Sequence, residues 1–202
     1  TNAQADDVLG WGALPGGIVA SLAGNVVTLS GATTLANYQT AIRAVTFSNT
    51  GDAPSTTPRS ITVTVTDGSA DSNTATATIN VVAMNDAPSL DLDANDSTAA
   101  GSAYAGTFTE NGGGVSIGDI ALRVADPDSN ITGATITLTN PKTGDVLAAG
   151  SLPPGITATV AGNIVLLSGN ASAADYQTAI RAITFDNTSD TPDTTSRTIT
   201  VT

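Results

Sequence analysis

Leu29–Pro54 reads LSGATTLANYQTAIRAVTFSNTGDAP, and Leu167–Pro192 reads LSGNASAADYQTAIRAITFDNTSDTP. The two stretches are one element met twice, at an offset of 138 residues (Leu167 against Leu29). Outward from it the match continues without a gap. Thr1-Asn2 aligns with Thr139-Asn140, Asp7-Val8-Leu9 with Asp145-Val146-Leu147, and Ile61–Thr64 with Ile199–Thr202. Between Leu14 and Thr64 roughly two-thirds of positions are identical to their partners. Self-similarity at so long a period implies a tandem array of domains, not a short solenoid repeat. With 202 residues, the chain is expected to hold about one and a half repeats. It is read as a window on a longer array, starting inside one repeat and stopping before the next is finished.

Local patterns give the elements. Ile18–Leu22 and Val26–Leu29 are short apolar runs around Gly24-Asn25, a two-residue hairpin signal, and Ile156–Val160, Gly162-Asn163 and Ile164–Leu167 repeat it. Leu35, Tyr38 and Ile42 fall at i, i+3 and i+7, which predicts a helix of about three turns. Thr33 or Thr34, and Ser172 in the second copy, are the expected N-caps. The helix is expected to pack across one end of a β core rather than to face a partner. Ser60–Thr66, Asn73–Val82 and Thr132–Thr139 alternate apolar and polar residues, as half-buried antiparallel strands do. Tyr104–Glu110 reads as a further strand, and Thr1–Gly12, with Trp11, as a strand end and loop. Many short strands with turns between them argue for a β-sandwich.

Composition narrows the function. Seventeen Asp and one Glu face one Lys and five Arg, a net charge of −12, with no His and no Cys. Apolar residues are still 40 % of the chain, enough for a β core and against plain disorder. So acidic a chain with no basic patch excludes nucleic acid as a partner. No apolar run reaches the length that spans a membrane, so no membrane insertion is expected. Without His or Cys, a nucleophile elbow or a phosphate loop, catalysis has little to stand on: paired carboxylates exist, but hydrolysing glycans normally also takes aromatic platforms, and Trp11 is the one Trp. Thr on alternate positions of SITVTVT is ordinary β propensity and does not indicate an ice-binding face. Arg43 and Arg181 are expected to pair structurally with Asp52 and Asp190.

The informative residues are acidic and lie around Ala83–Pro88, read as a linker stiffened by Pro88. Calcium takes six to eight oxygen ligands from carboxylates, amide and backbone carbonyls and water. Asn85-Asp86 and Asp126-Pro127-Asp128 supply such groups. The same residue types also favour turns and strand ends, so both readings stand at this point. In combination, NDAP at Asn85–Pro88, FTENG at Phe108–Gly112, VADPDSN at Val124–Asn130 and VTVTDG at Val63–Gly68 resemble the cadherin-like repeats of giant secreted bacterial adhesins of the RTX type. The LxGxAxxADYQxAIRAITFxNTSDxP core is similar to one subtype of those arrays, and the resemblance covers the whole chain.

That resemblance implies tandem Ig/cadherin-like Greek-key β-sandwiches, each with one short helix. Residues 1–84 would be the C-terminal part of one repeat. Residues 85–202 would be a second repeat lacking its last strand or strands. It further implies Ca²⁺ shared by Asn85, Asp86, Asp126 and Asp128. Asp67 would serve a junction before its own domain and Glu110 a junction after its own, with Asp91 and Asp93 as additional ligands. The sequence departs from the animal cadherin pattern: the linker D-X-N-D-N is reduced to Met84-Asn85-Asp86 and no D-R-E is present, so fewer ions per junction are expected. The implied function is a calcium-rigidified extracellular stalk whose partners are neighbouring repeats of the same protein. The alternative expectation is self-association into a filament, with incomplete sandwiches completed by donated strands.

Overall fold

The computed structural model describes residues 2–202. The chain divides into two compact units, Thr1–Met84 and Asn85–Thr202. Each is all-β apart from one short helix.

Unit 1 contains β1 (Asp7–Trp11), β2 (Val19–Ala23), β3 (Val26–Ser30), α1 (Leu35–Arg43), β4 (Val45–Asn49), β5 (Arg59–Val63) and β6 (Ala75–Ile79). They pair antiparallel in three two-stranded sheets, β1–β4, β2–β3 and β5–β6. Unit 2 contains β7 (Ser89–Asp91), β8 (Val115–Ser116), β9 (Arg123–Ala125), β10 (Ile131–Leu138), β11 (Asp145–Ala149), β12 (Thr157–Ala161), β13 (Ile164–Ala171), α2 (Ala173–Arg181), β14 (Ile183–Asn187) and β15 (Ile199–Val201). Here the strands form a four-stranded sheet in the order β12-β13-β10-β15, a three-stranded sheet β11-β14-β8, and the pair β7-β9. Inward residues of the two larger sheets, with Tyr176, Ala179 and Ile180 of α2, make one continuous core.

The repeated stretch folds alike in both units because its instructions are local. Ala23 pairs with Val26 around Gly24-Asn25, and Gly24 has φ 56°. Positive φ at the first loop residue is the backbone that lets a two-residue hairpin follow the strand twist. Thr34 caps α1, its Oγ1 accepting from the Asn37 N–H at 3.3 Å. Ser172 caps α2 in the same way from Asp175 at 3.2 Å. Gly31 and Gly169 sit at φ 139° and 143°, where a Cβ would lie 1.8 and 1.9 Å from the carbonyl oxygens of Gly17 and Gly155. Only glycine fits there. The carbonyls of Gly31 and Gly169 in turn accept from the hydroxyls of Tyr38 (2.8 Å) and Tyr176 (2.7 Å), tying helix to hairpin.

Several expectations need correction. Tyr104–Glu110 forms no strand. Phe108 instead sets its ring edge-on against Phe185, centroids 5.6 Å apart, so burial and not a ladder fixes this segment. Trp11 ends β1 and is not in a loop. Leu35 is 75 % exposed, and the inward face of α1 is Tyr38, Ala41 and Ile42. The helix lies on its core through i, i+3 and i+4, which leaves the first-turn residue over solvent. The strand expected over Ser60–Thr66 ends at Val63, and Thr66 bridges to Asp71 across a tight turn.

Candidate metal centre

Asn85, Asp86, Asp126 and Asp128, some forty residues apart in sequence, are brought together at the start of unit 2. Strand β7 pairs with β9, with Ser89 opposite Ala125, so the residues before β7 lie beside those after β9. The Asp126 carboxylate folds its loop. Its Oδ1 accepts from the backbone N–H of Asp128 (3.1 Å) and Ser129 (2.7 Å). The loop then reaches across. Asp128 Oδ2 accepts from the Asp86 N–H at 3.1 Å, and the Ser129 hydroxyl donates to Asn85 Oδ1 at 2.8 Å. The Ser129 N–H, helped by that of Asp128, holds the Asp126 carboxyl below the usual carboxylate range despite partial burial. It is therefore an anion at any neutral pH. The donor chemistry is oxygen throughout, from carboxylates and a side-chain amide, which suits a hard divalent cation. Among the described residues no three carboxylates already converge as a formed ligand set.

The other four candidates lie elsewhere. Asp67, in unit 1, caps its own turn, its Oδ1 accepting from Ser69 (2.8 Å) and Ala70 (2.9 Å), and those N–H groups lower its pKa. Glu110 is exposed on the turn that leads to Asn111 and Gly113. Those two residues line a recess of about 230 Å³ with Asp186 and Asp190. Asp91 is opposite Arg123, at the far end of the β7–β9 ladder. Three residues of strand beyond Pro88 place it about 10 Å from the Asp126 end. Asp93 has a different task from the one expected. It is fully buried. Its Oδ2 accepts from the Thr98 N–H (2.6 Å), the Thr98 hydroxyl (2.7 Å) and the Ala99 N–H (3.2 Å), and its Oδ1 from the Ser97 hydroxyl (3.1 Å). The Thr98 hydroxyl, with these backbone donors, drives its pKa well below the ordinary value. A carboxylate already holding four donors is an organiser of its loop, not a spare ligand.

Sequence reasoning missed the strongest charge arrangement, which occurs once in each unit. Arg59 forks onto Asp7, Nε to Oδ2 at 2.8 Å and Nη2 to Oδ1 at 3.1 Å. Arg197 does the same to Asp145, at 2.7 and 3.0 Å. Asn49 and Asn187 add a donor to the same carboxylates at 2.9 and 2.7 Å. Nη1 of each arginine also donates to the backbone, at Thr57 O and Thr195 O. The planar guanidinium fits a carboxylate on two bonds and still has donors for the loop. The expected partners behave otherwise. Arg181 Nη1 donates to the Ile120 carbonyl at 2.8 Å, and the ion pairs among the described residues include neither Asp52 nor Asp190. The 138-residue repeat of Asp, Asn and Arg together was the available signal.

The chain matches no known family model, no curated protein and no solved structure. No helix among the described residues is long and apolar enough to cross a membrane.

Proposed function

We propose that this chain is a segment of a calcium-rigidified extracellular stalk, built from tandem cadherin-like Greek-key β-sandwiches and carried by a repetitive bacterial adhesin. The observation that carries the reading is the hydrogen-bonded link from Asn85-Asp86 to the Asp126–Ser129 loop. It gathers oxygen donors where one repeat gives way to the next. Carboxylates held close repel one another, and a divalent cation would neutralise them and hold the segment in one conformation. The free energy of ion binding then goes into stiffness. The segment has no catalytic role. Its partners are neighbouring repeats, and its work is reach: holding an adhesive tip away from the cell surface or building matrix.

Asn85, Asp86, Asp126 and Asp128 are the ligands under this proposal, and the loop-committed Asp93 is not among them. The test is calcium titration calorimetry on the full chain and on Asp126→Asn/Asp128→Asn, with thermal unfolding and small-angle scattering in calcium and in excess chelator. Saturable binding that the double substitution abolishes, with a higher Tm and a stiffer particle in calcium, is the expected result. Absence of saturable heat, with identical Tm and scattering in chelator, would sink it.

A further inference from the structure

Asn111-Gly112 is the one Asn-Gly pair in the chain. Asparagine is a thermolabile residue. It loses its amide when the backbone nitrogen of the next residue reaches the side-chain Cγ. A following glycine leaves that nitrogen unshielded, because it carries no Cβ. Other asparagines are restrained on one count or the other. Asn49 and Asn187 give their amides to Asp7 and Asp145 at 2.9 and 2.7 Å. Asn140 precedes Pro141, which has no N–H. Asn25 and Asn163 precede Val26 and Ile164, whose branched Cβ crowds the approach. Asn111 has neither restraint: it is exposed, and among the described residues no hydrogen bond holds its side chain. Asp67-Gly68 is the corresponding acid pair, but a carboxylate is a poorer electrophile than an amide, and this one is tied to the Ser69 and Ala70 N–H groups.

The turn around Asn111 sets the timing. Asn111 sits at φ 60°, a left-handed conformation that asparagine tolerates. The Gly112 N–H donates to the Thr109 carbonyl at 2.9 Å. A Cβ on residue 112 would lie 2.9 Å from that same oxygen, so the turn itself asks for glycine here. While the bond to Thr109 stands, the Gly112 nitrogen is committed away from the Asn111 side chain. Attack requires the turn to open.

We propose that Asn111 is a deamidation site timed by the opening of this turn. The Gly112 nitrogen attacks Asn111 Cγ. A Cγ–N bond forms, the Cγ–Nδ2 bond breaks, and Nδ2 leaves as ammonia with the proton of the Gly112 nitrogen. Water then opens the succinimide at either carbonyl, giving aspartate or isoaspartate. The net exchange is one water in and one ammonia out, with nothing oxidised or reduced. Either product puts a new carboxylate on the recess that Asn111 lines with Asp186 and Asp190, where like charges repel. Isoaspartate also adds a methylene to the main chain just after Phe108, whose ring anchors the segment on Phe185. The segment therefore loosens as the molecule ages. This inference is independent of the calcium reading: the reaction takes no metal, and Asn111 is not among the ligands of that reading.

The test is incubation of the full chain in chelator, folded and in concentrated urea, followed by peptide mapping with fragmentation that separates aspartate from isoaspartate. The Asn111 peptide should gain the amide-to-acid mass steadily, with isoaspartate among the products, and several-fold faster in urea than in the folded chain. Asn73, exposed but followed by Thr74, serves as the internal reference and should react several-fold more slowly than Asn111. The Tm of the aged chain should fall below that of the fresh chain, while an Asn111→Gln chain keeps its own Tm over the same period. No mass gain at Asn111 in the folded chain, or a gain no faster than at Asn73, would overturn the site. Equal rates in the folded chain and in urea would overturn the timing by the turn, and an unchanged Tm on ageing would overturn the loosening.

Discussion

The same residues do different work in the two units. Leu167, Val165 and Ile183 are wholly buried in unit 2, with Leu147 at 2 % exposure. Their counterparts Leu29, Val27, Val45 and Leu9 are only half-buried in unit 1. The outward residues do not differ so: Val8 is 42 % exposed and Val146 40 %. Helix, hairpin and arginine fork are present twice, almost superimposable in their hydrogen bonds. In unit 2, β10 is a central strand that joins β13 to β15 and drops Ala134, Ile136 and Leu138 into the core. Local instructions are enough to shape the pieces, and one long-range strand turns them into a packed core.

The largest effects should come from paired substitutions that read this difference. Leu167→Ala is expected to cost about 2–5 kcal/mol as a truncation in a filled core. Leu29→Ala should cost about 1 kcal/mol or less, since its neighbours leave it partly hydrated. Denaturant unfolding followed in each unit measures both, and equal losses would break the comparison. Gly31→Ala and Gly169→Ala are the control. Both clash with a backbone oxygen at under 2 Å, so both should unfold their own unit whatever the state of the core.

Acid should act on both units through the arginine forks. In Asp145, burial raises the pKa, but the Arg197 and Asn187 bonds more than offset it and the net shift is downward. Asp7 is likewise held down, chiefly by Arg59. A carboxyl depressed in the folded state contributes stability that is fully present above its unfolded pKa and is lost as pH falls toward the folded one. Tm should therefore be flat from pH 8 to about 5 and drop steeply below about pH 4, the ordinary carboxylate range. Asp145→Asn should lower Tm at pH 7 by several degrees and flatten the acid limb. An unchanged acid limb in that variant would assign the loss to other carboxylates.

The smallest contrast is at the tyrosines. Tyr176 is fully buried, and burial raises its pKa. Tyr176→Phe should cost about 1 kcal/mol for the lost bond to Gly169, and Tyr38→Phe less, because water can replace the partner.

The sequence was legible where structure is local. The Gly24-Asn25 hairpin, the Thr34 and Ser172 caps, and β10 over Ile131–Leu138 follow from residues within a turn or a strand of one another. Tyr104–Glu110 failed because strand-like composition does not supply a ladder partner, and Phe108 found a ring instead. The Asp145–Arg197 fork spans 52 residues, so spacing could not show it; only its doubling by the repeat could. Of the candidate ligands, the Asn85-Asp86 and Asp126-X-Asp128 pairing was legible as a pattern. The inward capture of Asp93 was not, because Ser97, Thr98 and Ala99 are ordinary loop residues until the chain closes on the carboxylate.

The most direct test of the comparison between the units is native-state hydrogen exchange across β3 and β13 in the isolated chain at low concentration. The account predicts that β13 amides exchange only through global opening of unit 2, while β3 amides paired to β2 exchange far faster through local opening. Equal protection in the two strands would contradict it.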